Sequence, residues 1–167
     1  MGSIREESET RRSPALGLLS SPLHLRARKL GFSMLADLSA IGVDYQGAGV
    51  VTTQSYLREN PDTIRRYLRA YVEGLHRLKT DKTFSMKVIG KYSRISESDA
   101  LEETYQHYAV KVMPRVPYPT IKGIQMVLDE MSSRSPKAKS LQPNSFIDVA
   151  NLKELEQSGF VKSLYGE

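Results

Sequence analysis

The chain has 167 residues, 40% hydrophobic and 26% charged, with a formal net charge of +5 and no cysteine. That length is enough for one domain with a real core, and the missing thiols exclude disulfides, cysteine nucleophiles and cysteine-based metal sites. No run approaches the roughly 20 apolar residues that a membrane-crossing helix needs, and the small, scattered positive excess reads as solvated surface rather than a nucleic-acid patch.

Residues 1–13 are polar and mixed in charge, with nothing that could bury a core, and read as a disordered segment. They hold no apolar h-region, so they are not a secretory signal as written. Ala15–Leu19 is a short apolar run that fits a buried strand. Ser20-Ser21-Pro22 ends it. Pro22 suits a first helical position with Ser21 as its cap, and the helix runs to Leu30 with Gly31 as a left-handed stop. Phe32–Leu38 alternates enough to read as a second strand. Ser39–Gly49 is a loop carrying Gly42, Gly47 and Gly49. The β-branched Val50–Thr53 reads as a third strand, and Gln54–Glu59 as a short helical turn.

Asn60–Thr80 is the clearest element of the chain. Asn60 is placed to cap it, Pro61 fits its first turn, and Asp62 favours the positive end of the helix dipole. Ile64, Leu68, Tyr71, Leu75 and Leu78 recur as one apolar stripe. Arg65, Arg66, Arg69, Glu73, Arg77 and Lys79 fall largely off it.

Downstream the chain reads as almost all helix. Phe84, Met86, Val88 and Ile89 are core candidates within Thr83–Tyr92. Ser96 or Ser98 caps a helix through Val110, with Leu101, Tyr105, Tyr108 and Ala109 on one face. Met113–Pro119 holds three prolines and reads as an extended connector. Thr120 caps a helix striped by Ile121, Ile124, Leu128 and Met131. Ser132–Ser145 is a polar loop. Asp148 caps a last helix through Gln157, Gly159 stops it, and Phe160, Val161 and Leu164 dock the tail.

Catalytic chemistry is not legible. His24, His76 and His107 lack a ligand-type spacing, and each reads as a surface or partly buried histidine. The adjacent pairs Glu102-Glu103 and Asp129-Glu130 point to different sides of a helix. No nucleophile elbow, phosphate loop or dinucleotide fingerprint is present. The reading is therefore a non-enzyme with no cofactor and no metal. One corner has a physical rationale as a site. At Ser20-Ser21-Pro22 free N–H groups, two hydroxyls and a helix dipole could hold an anion, the alternative being an ordinary capped helix start.

The segments LLSSPLHLRARKLGF, MLADL, YQGAGVVTT, ENPDTIRRYLRAYVEG, VPYPTIKGIQMVLDE and FIDVANLKELEQSGF, in this order, resemble the nitrate/sulfonate/taurine-type solute-binding proteins of ABC importers. The same superfamily includes thiamine-pyrimidine synthesis proteins, whose cysteine-rich motif has no counterpart here. The resemblance implies an α/β fold: part of a type II periplasmic-binding-protein clamshell, helix-rich with few strands. It assigns residues 14–44 to the end of the second lobe, and residues 45–167 to the returning strand and helical shell of the first. The chain thus reads as the second half of such a protein. Ser20, Ser21 and Pro22 match the family's turn after a strand, and Gln46, Gly47 and Thr52 lie on its crossing strand, so these six are the implied ligand contacts.

The implied function is capture of a small anion, such as a sulfonate or nitrate, for an ABC importer. Implied partners are the importer's membrane subunits and a separate chain carrying the missing half. Location is extracytoplasmic by resemblance, cytoplasmic if the chain is expressed as written. The alternatives are a basic helical nucleic-acid-binding protein and a degenerate remnant without ligand.

Overall fold

Helical periodicity in this sequence does become helix. The computed structural model describes residues 17–38 and 40–167. Among these the chain forms eight α-helices: α1 (Leu23–Lys29), α2 (Gln54–Glu59), α3 (Pro61–Thr80), α4 (Lys82–Ser93), α5 (Ser98–Tyr105), α6 (Ile121–Ser132), α7 (Ala150–Gln157) and α8 (Phe160–Tyr165). A π-helical turn, Gln106–Val112, continues α5, and two 3₁₀ turns, Pro136–Ser140 and Pro143–Phe146, follow α6. The segment expected as a polar loop, Ser132–Ser145, therefore carries these two turns, which pack on α6 and bury Ala138 and Pro143.

The expected α/β architecture is not formed. Among the described residues there is no strand and no sheet, so the chain is not part of an α/β clamshell. Of the three expected strands, Ala15 and Leu16 of the first lie outside the described residues and its Gly17–Leu19 has no regular structure. Phe32–Leu38 and Val50–Thr53 are irregular and exposed. The reason is physical: a strand satisfies its N–H and C=O groups only against a neighbouring strand, and no backbone ladder joins these segments. A helix closes its bonds within four residues and needs no such neighbour.

α3 is the hub. It packs against α4, the π turn, α7 and α8. Val72 is 0% exposed and forms the core with Leu152 of α7 and Val161 of α8. Leu68, Val116, Tyr118, Phe160, Leu164 and Tyr165 close around them, so the tail docks where expected. Val72 lies off the expected stripe, while Leu75 of that stripe is buried. Helices on more than one side of α3 widen its buried face beyond a single line of spacings.

The helix ends follow local chemistry, with four departures. Ser21 does not cap α1: Pro22 takes the cap position without a side-chain cap bond, the helix opens at Leu23, and the Ser21 hydroxyl turns to Glu103 instead. Thr53 and Thr120 cap α2 and α6, accepting from the amides of Tyr56 at 3.1 Å and Gly123 at 3.0 Å. Asp81 caps α4 by accepting from Phe84 N at 3.0 Å, which starts that helix at Lys82. Asn60 does not cap α3. It also ends α2, and both its backbone and side-chain nitrogens turn back to the Tyr56 carbonyl, at 2.9 and 3.3 Å. Neither Ser96 nor Ser98 caps α5, because the preceding position is Glu97 in extended conformation and Ser98 is already inside the first turn. Asp148 sits one residue further out than a cap, yet its carboxylate still accepts from Ala150 N at 3.0 Å.

The widening of α5 into a π turn coincides with a tie to α3. Lys79 Nζ donates to the Ala109 carbonyl at 2.7 Å, and Tyr105 Oη donates to the Lys79 carbonyl at 3.2 Å. Burial, with the nearby Arg115 charge, holds the Lys79 ammonium below its usual pKa.

Candidate functional site

The serine corner lies against α5. The Ser20 carbonyl accepts from Leu23 N at 2.9 Å and so begins α1. Ser21 Oγ donates to the Glu103 carboxylate and lies 3.4 Å from Thr104 Oγ1. His24 Nε2, one turn on, stands 3.5 Å from the same carboxylate. Pro22 is half-buried and supplies the carbonyl that Leu25 N reaches at 3.0 Å. The corner thus already holds a negative group from the chain itself. A second anion there would meet Glu103, and the Ser21 hydroxyl is engaged.

Gln46 is tied to the start of α6 instead. Gln46 Oε1 accepts from Thr120 N at 3.1 Å, its Nε2 donates to the Ala48 carbonyl at 2.6 Å, and its backbone N–H reaches the Gly123 carbonyl at 3.3 Å. Gly47 N donates to the Tyr45 carbonyl at 3.0 Å, and a Cβ on Gly47 would touch the Tyr45 ring at 3.4 Å. Tyr45 Oη donates to Glu130 at 3.0 Å, and that bond with the carboxylate's charge raises the phenol pKa. Thr52 is exposed. Of the six expected contacts, Ser21 is tied to α5, with Ser20 and Pro22 beside it in the chain; Gln46 is tied to the start of α6, with Gly47 beside it; and the exposed Thr52 belongs to neither group. Gln46 acts as a staple, using its side chain and its backbone on the first turn of one helix.

A basic cleft between α3 and α7 is a feature that residue spacing hid. Arg65, Arg66 and Arg69 line it from α3, and Asn151, Glu154 and Leu155 from α7; its volume is about 250 Å³. Arg65 is held by Asp62 at 3.3 Å and Glu154 at 3.5 Å. Arg69 is held by Glu73 at 3.4 Å and lies over the Phe160 ring at 4.4 Å. The signal in the sequence is Arg-Arg-Tyr-Leu-Arg, which reads as a solvated face until α7 is seen to wall it.

A second, more apolar groove of about 470 Å³ runs between α3 and α4, with Leu75, Leu78, Phe84 and Val88 among its walls. Arg77 covers the Phe84 ring at 3.6 Å. The histidines do not converge. His24 faces Glu103, His76 meets the edge of Tyr165 at 4.7 Å between centroids, and His107 meets Tyr108 at 4.9 Å. Among the described residues no three metal-ligating side chains gather, and no helix is long and apolar enough to cross a membrane. No protein-family model, no curated protein and no solved structure matches this chain.

Proposed function

We propose that this chain is a non-enzymatic solute-binding component of an ABC importer, capturing a small anion such as a sulfonate or nitrate and working in assembly with a further polypeptide. The reading starts from the sequence resemblance. One observation supports its assembly clause: the segment before α2 exposes a dense set of large apolar side chains. Leu18 is 83% exposed, Leu35 79% and Val51 93%, and Leu30, Phe32, Met34, Val43 and Tyr45 are exposed with them. Large apolar side chains left in water gain free energy when a partner covers them. Among the described residues no ladder joins the backbone around them.

The segment before α2 is then the surface on which the further polypeptide seats. The membrane subunits of the importer are the further partners, and an extracytoplasmic location follows from the same reading. Calorimetry tests it: the chain is titrated with taurine, methanesulfonate and nitrate, alone and with a polypeptide encoded beside it. Saturable heat with one of these solutes supports the reading. No heat in either preparation overturns it.

A further inference from the structure

We propose that Arg65, Arg66 and Arg69 of α3, together with Asn151 of α7, form a binding site for a small organic oxyanion with a sulfonate or phosphate head. The proposal deepens the solute-binding reading and rests on it for the choice of solute, but not for the position of the site.

Three guanidinium groups stand within five residues of one helix. Arg65 and Arg69 are four apart and Arg66 and Arg69 three apart, so each of these pairs shares a face and repels. The cleft lining holds one carboxylate, Glu154, which takes Arg65. Asp62 and Glu73 hold Arg65 and Arg69 in place, and Phe160 supports the Arg69 plane from below. Arg66 meets no carboxylate within ion-pair distance among the described residues. Two arginines are thus oriented and a third carries an uncompensated fork.

A planar guanidinium presents paired N–H donors that match the oxygens of a sulfonate or phosphate. Asn151 adds a side-chain amide with no other bond among the described residues, whereas the Ser158 hydroxyl nearby is spent on the Leu155 carbonyl at 2.8 Å. Leu155 gives the cleft an apolar wall for a short carbon tail, and a volume of about 250 Å³ suits a small molecule rather than a polymer. The Ser20–Ser21 corner offers the opposite field, because its hydroxyl already faces Glu103.

The test is ¹⁵N–¹H NMR of the full chain titrated with methanesulfonate, inorganic phosphate and a short DNA duplex, each against sodium chloride at matched ionic strength. The expected result is saturable shifts centred on residues 65–69 and 151–155 with methanesulfonate or phosphate. Arg66→Gln should weaken that binding about tenfold, Arg66→Lys less, and Arg134→Gln not at all. Binding that is equal in wild type and Arg66→Gln, or shifts centred on Ser21 or Gln46, overturns the site and leaves the solute reading standing. Binding of phosphate at the site without any preference for a sulfonate leaves the site and removes that solute class. No saturable shift with either anion overturns the site, as does a response to the duplex alone, which would favour nucleic acid.

Discussion

Gln46 and Gly123 approach so closely that the glutamine amide reaches the glycine carbonyl at 3.3 Å, and a Cβ on the glycine would stand 2.9 Å from that same nitrogen. It would also stand 2.5 Å from Thr120 Oγ1, the atom that caps α6. The contact is backbone against backbone, so neither side can rotate away. The first turn of α6 is therefore shaped to receive residues 45–46, and only glycine leaves the room.

Gly123→Ala should consequently release the staple. Overpacking costs roughly 1–3 kcal/mol, against which alanine returns at most about 1 kcal/mol of helix propensity, so a net loss of about 1 kcal/mol is expected. Faster amide exchange at Gln46 and Gly123 checks the mechanism. Gly74→Ala is the contrast, since nothing lies within 4 Å of its added Cβ in the interior of α3. There the propensity term stands alone and stability should rise by about 0.5–1 kcal/mol.

Val72→Ala removes the most deeply buried large side chain, from the point where α3, α7 and α8 meet. Urea unfolding should show a loss of about 2–3 kcal/mol from lost burial plus the cavity left behind. Ile64→Ala, at a partly exposed position of the same helix, should cost clearly less. Equal losses would mean that α3 does not centre its packing on Val72.

Thr120→Ala deletes the hydroxyl that accepts from Gly123 N at 3.0 Å. The expected loss is about 1 kcal/mol. Thr120→Ser should recover most of it, because the accepting oxygen returns.

Stability should fall in acid through α5 and its neighbours. A hydrogen bond from Lys29 holds the Asp99 carboxyl below its ordinary pKa, and one from Lys82 does the same for Glu102. Backbone N–H donors lower Glu97. A folded-state pKa below the unfolded one stabilises the fold above the unfolded value, about 4 for these groups, and that stabilisation is lost as pH falls through the folded value. These groups are exposed, so the effect should shrink in high salt. NMR titration checks it, with Lys29→Met returning Asp99 toward its ordinary range. At the alkaline end, Tyr45 and Tyr118 are raised, Tyr45 by its bond to Glu130 and Tyr118 by burial and its bond to Glu156. Their contribution is intact below about pH 10 and is lost as pH rises through the folded values.

Particular residues show how far the sequence reaches. Pro61, Asp62 and the apolar positions of residues 61–80 place α3, and Thr120 places the start of α6, because a helix is made of bonds between residues four apart. Gly159, at φ +78°, ends α7 for an equally local reason. Asn60 shows where locality fails even within seven residues: it is a good cap by type, but the end of α2 claims it first. Gln46 is a ligand candidate by resemblance, and its side-chain carbonyl accepts from the Thr120 amide at the start of α6, a partner that its place in the chain does not show.

Composition and helical spacing by themselves determined a cysteine-free chain built of amphipathic helices around α3. Only the tertiary structure decided that Val72 is the centre of the core, that Ser21 answers to Glu103, that α7 walls in Arg65, Arg66 and Arg69, and that the irregular segments described before α2 form no sheet. The physical reason is range: helix bonds are written within one turn of sequence, whereas strands, core partners and charge pairs depend on residues that lie far along the chain or outside it.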